Sequence, residues 1–151
     1  GNERGRCCGL GGRTGRRMKV TADTNILVRG VVRDDAKQAA AVDRLLSQAT
    51  LIAVSLPCLC EFVWVLRRTY GLTNEDCAAA IRALVDTGNV VTNRPAVDAG
   101  LAVLDTGGDF ADGVMAHEGK WLGGEVFVSF DRKAVKRLTD QGEAAKLLGN
   151  P

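Results

Sequence analysis

The chain is poor in the residues from which soft-metal and redox sites are built. It has a single histidine, His117, and five cysteines, an odd number with no C-x-x-C pair among them. A disulfide framework needs paired cysteines and a zinc site needs ligands at close, regular spacing, so this pattern argues against both and makes a reducing cytosol the expected setting. Long apolar runs are also lacking. No stretch approaches the roughly 18 apolar residues of a membrane span, and the first residues carry no apolar segment of the signal-peptide kind. The expectation is a cytoplasmic protein, neither membrane-bound nor exported. Nor is there a strong basic excess. The net charge is +2, but Arg4, Arg6, Arg13, Arg16 and Arg17 against Glu3 place +4 in the first seventeen residues, which leaves −2 for the remainder. The body of the chain is therefore not a basic nucleic-acid platform, and any affinity for a polyanion has to come from local patches or from bound metal.

What is present suffices for a core: 151 residues, 46% of them hydrophobic, the size of one domain. Gly1–Arg17 is dominated by Gly and Arg, and globular patterning begins at Met18. Residues 1–17 read as a tail, either extraneous to the domain or a basic arm that touches RNA; residues 18–151 read as one domain. Within it, Met18–Ala22 reads as a strand and Ala36–Ala49 as a helix. Leu51–Leu56 is a continuous apolar run, the mark of a strand buried on both faces. Pro57 suits the first turn of a helix that runs to about Gly71. Thr73–Asp76 resembles a capping box opening a helix through about Thr87, which Gly88 ends. Asn89–Thr92 reads as a strand, Arg94–Asp105 as a helix with Pro95 in its first turn, and Phe110–His117 as a helix after the Gly107–Gly108 break. Glu125–Phe130 reads as a strand and Lys133–Leu138 opens a last helix. Strands separated by helices imply parallel pairing and a three-layer α/β/α sandwich around a mostly parallel central sheet, with ligands at the carboxyl ends of its strands.

Several carboxylates fall where that edge is expected. Asp23 directly follows the first strand, and Asp131 follows Val-Phe-Val-Ser-Phe in the same way, so the two are expected to face one sheet edge. Glu61 lies in Pro-Cys-Leu-Cys-Glu-Phe-Val-Trp-Val-Leu, among apolar neighbours, where an unpaired carboxylate would cost several kcal/mol or protonate. It is expected to require a cation rather than to lie on the exposed stripe of an amphipathic helix, the other reading, because Cys58, Phe62 and Val65 lie at helical spacing from it. Asp109 and Asp112, three apart after Gly107–Gly108, share a helix face if both are helical. For Asp109 an ordinary N-cap is an equal reading, and for Asp131 a turn residue is. Gly113, next to Asp112, would let a backbone approach closely. By contrast, Asp34 and Asp35 read as loop residues, Asp86, Asp98 and Asp105 as solvated helix faces, and Cys58 and Cys60 as small core residues. His117, five positions after Asp112, points to another side of its helix. Oxygen donors without His or Cys suit hard cations such as Mg2+ or Mn2+, and like charges held together raise one another's pKa and favour metal uptake. A metal there would activate a water and offset the charge of a phosphoryl transition state, the chemistry of phosphodiester hydrolysis.

Taken together, Ala-Asp-Thr-Asn-Ile-Leu-Val-Arg, Cys-Glu-Phe-Val-Trp-Val-Leu, Gly-Gly-Asp-Phe-Ala-Asp-Gly-Val-Met-Ala and Val-Ser-Phe-Asp-Arg-Lys-Ala-Val come in an order and spacing that resembles the PIN-domain family, and most of all its VapC-type toxin ribonucleases. The resemblance extends from Met18 to about Leu148. It implies an acidic quartet of Asp23, Glu61, Asp112 and Asp131, with Asp109 as an auxiliary metal ligand and with Thr24, Asn25 and Ser129 orienting ligands or waters. It also implies Mg2+- or Mn2+-dependent endoribonuclease activity, a homodimer, and inhibition by a small antitoxin protein, an arginine of which could pair with the acids. Arg29, Arg67, Arg68 and Arg132 lie near the motifs and are candidates for RNA phosphates. Three alternatives stay open: a PIN nuclease of RNA processing without an antitoxin, a metal-dependent phosphatase or receiver-like phosphoryl-transfer domain, and a regulatory binding module without catalysis. A receiver would use a lysine near a late strand end, and it leaves Glu61 without a part.

Overall fold

The computed structural model describes residues 18–149, so the tail expected over residues 1–17 lies outside the described residues. Among the described residues seven helices and five short strands follow one another: β1 (Lys19–Thr21), α1 (Thr24–Val32), α2 (Ala36–Gln48), β2 (Leu51–Ala53), α3 (Leu56–Arg68), α4 (Asn74–Val85), β3 (Val90–Val91), α5 (Arg94–Asp105), α6 (Phe110–Trp121), β4 (Phe127–Ser129), α7 (Arg132–Asp140) and β5 (Ala145–Leu147). Their strand pairings are parallel, as expected of strands separated by helices. β2 is central, with Val20 of β1 opposite Ile52 and, on the other side, Val90 of β3 opposite Ile52. β4 and β5 form a second sheet, Val128 opposite Lys146. The protein is a mixed α/β fold with short parallel strands in two small sheets, and the strands preceding Asp23 and Asp131 therefore belong to different sheets, contrary to the shared edge expected.

Local chemistry explains most element ends. Thr73 Oγ1 accepts from the Asp76 N–H at 3.1 Å while Asp76 Oδ2 accepts from the Thr73 N–H at 3.5 Å, which completes the capping box that starts α4. The strand expected over Leu51–Leu56 stops at Ala53. Ser55 turns the chain by accepting from the Cys58 N–H at 3.3 Å, and with Pro57 in the first turn Leu56 joins the buried face of α3. α6 runs one turn beyond His117, to Trp121.

The segment Thr24–Val32 is helical although its own residues speak against it. Thr24, Ile26, Val28, Val31 and Val32 are β-branched and Gly30 is the poorest helix former after proline. The helix forms because Asp23 caps it and because Leu27 and Val28 are buried against α2 and α3. It ends at Arg33, a non-glycine residue at φ 59°, held by two bonds from its guanidinium to Asp43 at 3.0 and 2.7 Å.

The core is one cluster around Ile52 of β2, Leu59, Phe62 and Leu66 of α3, Ile81 of α4, Val97 and Leu104 of α5, and Phe110 of α6, all fully buried. Each such side chain contributes about 1.5–3 kcal/mol relative to exposure. α5 and α6 make the tightest helix pair. A Cβ at Gly100 would stand 2.6 Å from the Phe110 ring, and one at Gly113 would stand 2.3 Å from the Ala99 carbonyl oxygen. The close approach expected at Gly113 is thus made by the backbone of α5, and Asp112 sits one residue before that crossing.

Candidate active site

Three of the sequence-predicted acids are helix N-caps. Asp23 Oδ1 accepts from the Ile26 N–H at 3.1 Å and starts α1, and Asp109 Oδ1 accepts from the Ala111 N–H at 3.0 Å and starts α6. Asp131 Oδ1 accepts from Lys133 and Ala134 N–H groups at 2.9 and 3.2 Å and starts α7. Asp23 and Asp131 each stand two residues beyond the last residue of a parallel strand, so the same strand–Asp–helix unit occurs twice. A cap satisfies otherwise orphaned N–H groups, and a carboxylate is further favoured by the positive end of the helix. Capping therefore accounts for the residue type at all three positions. It engages one oxygen of each and points the group to the helix end. Ser129 Oγ accepts from the Asp131 N–H at 2.9 Å, so this hydroxyl steadies the backbone of the acid rather than its carboxylate.

Asp112 is different. It lies in the first turn of α6, half-buried, and caps nothing. Its carboxyl is pushed up to about 6, first by burial and then by the charges of Asp109 and Asp131, with Arg137 pulling the other way. No hydrogen bond offsets these causes. Asp109 and Asp131 thus both act on Asp112, one from the start of α6 and the other from the start of α7.

Asp23 and Glu61 form a second group through Thr24. The Thr24 hydroxyl donates to Glu61 Oε1 at 2.5 Å and lies 4.0 Å from Cys58 Sγ. The Cys58 thiol is pushed up by burial, with Asp23 and Glu61 adding to the rise and the Thr24 bond opposing it. Glu61 itself is exposed, which overturns the expectation that it lies off the exposed stripe of its helix. Pro57, Glu61, Trp64 and Arg68, spaced four, three and four apart, form the exposed stripe of α3, whereas Cys58 and Phe62 face the core. The two groups flank α3, which packs on both α1 and α6. Cys60, on the side toward α6, is pushed up to about 11 by burial and by Asp109 and Glu118. Among the described residues no three His, Cys, Asp or Glu side chains are grouped closely enough to hold a metal ion. In donor chemistry, however, the acids suit a hard divalent cation: they are all carboxylates, and the repulsion at Asp112 is what such a cation would relieve.

The basic residues divide. Arg29 is committed to Asp34, at 2.6 Å, and Asp34 also accepts from Tyr70 Oη at 3.5 Å; the loop aspartate is thus an ion-pair partner. Arg67 and Arg68 are exposed in the last turn of α3, where a cation is favoured by the helix end, and Arg132 is exposed in the first turn of α7. Asn25 is exposed. The basic residue that acts on the acids is Arg137, which sequence reading passed over. Its signal was weak, since only its place two turns after Asp131 on a helix set it apart. Compared with known proteins, the chain matches no family model and no curated protein.

Proposed function

We propose that the protein is a divalent-metal-dependent endoribonuclease of the PIN-domain type and the toxin of a toxin–antitoxin pair. The observation that carries this reading is Asp112, a half-buried carboxylate on which the charges of Asp109 and Asp131 act, with no hydrogen bond among the described residues to offset them. Burial and like-charge repulsion at one carboxylate cost stability with no structural return, which makes Asp112 a candidate for function. On this reading the two small sheets belong to one central sheet of a three-layer α/β/α sandwich.

Asp109, Asp112 and Asp131, with Asp23 and Glu61 from the other side of α3, are the residues that would hold Mg2+ or Mn2+. Bound there, the ion would supply positive charge to the phosphoryl oxygens and acidify a water. The chain itself does the rest. Asp23, Asp109 and Asp131 are held at the helix ends by cap bonds and keep one oxygen clear of them. Asp112 gives up its proton near pH 6. Glu61, exposed and bonded by the Thr24 hydroxyl, would be the carboxylate that meets the attacking water. Arg67, Arg68 and Arg132, exposed at the surface, are the residues that would meet RNA phosphates. A protein partner is supported by exposed apolar side chains around β4, Trp121 at 79%, Leu122 at 89% and Phe130 at 76% exposure. An apolar groove between α1, α2 and α4, lined by Ile26, Val31, Val42, Leu46 and Leu84, would suit a segment of a small antitoxin. Nothing favours the receiver reading: Lys133 lies in the first turn of α7, not at a strand end.

The test is cleavage of a mixed RNA pool by purified protein in Mg2+, in Mn2+ and in EDTA, beside Asp23→Asn and Asp112→Asn. Cleavage that needs metal and is lost in both variants is the expected result. Equal cleavage by the variants, or no cleavage together with no Mn2+ binding, would overturn the proposal.

A further inference from the structure

The turn that delivers Asp109 and Asp112 closes on the end of α5 through the Gly107 N–H to the Leu104 carbonyl and the Gly108 N–H to the Val103 carbonyl, both at 3.0 Å, and through the Thr106 hydroxyl to the Val103 carbonyl at 2.8 Å, while its two glycines bring no side chains. Gly107 has φ 90°, a conformation that favours glycine, and a Cβ at Gly108 would stand 2.6 Å from Val103 Cγ1 and 2.7 Å from Arg137 Cδ. The space beside the two glycines is filled by side chains from two other helices. On one flank Asn74 of α4 donates through Nδ2 to the Leu104 carbonyl at 3.1 Å and to the Gly108 carbonyl at 3.2 Å. On the other flank lies the stem of Arg137, whose Nε would be 3.2 Å from that Gly108 Cβ and whose Nη2 would be 3.8 Å from one at Gly107. Arg137 stands on α7, the helix that Asp131 caps, and six residues of helix make a rigid arm of about 9 Å between them. α7 packs mainly on β4 and β5 and buries Ala134 and Leu138, and at its end Gln141 donates through Nε2 to the Ala102 carbonyl at 2.9 Å.

We propose that Arg137 is a positioning residue: its stem, seated on Gly108, sets the distance of α7 from the glycine turn and thereby the separation of Asp131 from Asp109 and Asp112. The nuclease reading supplies only what these carboxylates do; the seating stands without it. Arginine fits the task because its long, straight stem fills the space that a glycine leaves open, while the guanidinium keeps its charge on the side of Asp112.

The test compares Arg137→Ala, which removes the stem, with Arg137→Met, which keeps an unbranched stem without charge, and Arg137→Lys. In metal-free protein, amide exchange at Ala111 and Asp112 is expected to quicken in Arg137→Ala and to stay near wild type in Arg137→Met and Arg137→Lys. Mn2+ affinity, measured by calorimetry, is expected to fall about tenfold in Arg137→Ala, the usual effect of losing a residue that supports metal ligands, and to be restored by the two stemmed variants. In RNA cleavage the loss falls on kcat with KM unchanged. Unchanged exchange in Arg137→Ala overturns the proposal whether or not metal binds. Arg137→Met as impaired as Arg137→Ala overturns it in favour of the charge, and a rise in KM alone overturns it in favour of a direct RNA contact. If Arg137→Ala does not fold, the Met and Lys variants decide. Wild-type protein that binds no Mn2+ while the exchange pattern holds overturns the nuclease reading and leaves the positioning role standing.

Discussion

Replacing Gly113 by alanine isolates the crossing on which Asp112 depends. The added Cβ would lie 2.3 Å from the Ala99 carbonyl oxygen and 2.8 Å from both the Ala99 carbonyl carbon and the Gly100 Cα. All three are backbone atoms, so none can swing aside, and α5 and α6 have to move apart. Overpacking of this kind costs about 1–3 kcal/mol, here toward the upper end because a whole helix has to shift. Against it stands the gain of about 1 kcal/mol that alanine brings over glycine inside a helix. The net is a loss of about 2 kcal/mol, which for a domain of this size lowers Tm by roughly 6–10 °C. Gly119, on the same helix, is the control: a Cβ there meets no heavy atom within 4 Å, so the helix-propensity gain acts unopposed. Thermal unfolding followed by circular dichroism is therefore expected to show Tm falling in Gly113→Ala and rising in Gly119→Ala. RNA cleavage should fall in the first only, because the shift carries Asp112, together with Asp109 on the same helix, away from Asp131. A Tm that rises in both would refute the argument, since the two helices could not then approach as closely as the structure has them.

Three other outcomes follow from the same geometry. The Asp112 carboxyl, pushed up to about 6, binds its proton more tightly in the folded chain than in the unfolded one, where such a group titrates near 3.9. Its contribution is full below about pH 4 and is lost as pH rises through about 6, so in EDTA Asp112→Asn is expected to be more stable than wild type at pH 7.5 and to lose that advantage at pH 4; a less stable Asn variant at neutral pH would contradict the burial and repulsion assigned to Asp112. Asn74→Ala leaves the buried Gly108 carbonyl without its donor, while the Leu104 carbonyl keeps the Gly107 N–H, and should cost about 1–3 kcal/mol in urea unfolding, with no loss meaning that water replaces Asn74 freely. Thr24→Val removes the hydroxyl on exposed Glu61, so stability is expected to fall by less than about 1 kcal/mol while cleavage falls much further and is restored by Thr24→Ser; equal activity in Thr24→Val would remove Thr24 from the site.

The helices that the sequence announces are those whose ends are written in neighbouring residues. Thr73 and Asp76 close a reciprocal box, Pro57 and Pro95 sit in first turns, and the bounds expected for Arg94–Asp105 are those observed. α1 escapes such reading because its β-branched residues disfavour a helix, and only the burial of Leu27 and Val28 against other elements reverses that preference. Glu61 shows the opposite failure. Its apolar neighbours suggested burial, but a helix turns about 100° per residue, so adjacent side chains face different ways and the stripe through Pro57, Trp64 and Arg68 reaches solvent.

For the candidate site, the sequence by itself determined which positions carry carboxylates and offered the cap at Asp109, because a cap is a bond between residues two or three apart; that Asp23 caps a helix became visible only once packing made Thr24–Val32 helical. Only the tertiary structure decided which acids act on one another. That Asp112 meets Asp131, that Asp23 and Glu61 are joined through Thr24, and that Arg137 rests on Gly108 depend on how α6, α7, α1 and α3 pack, and packing is settled by contacts between residues far apart in the chain, which no local pattern records.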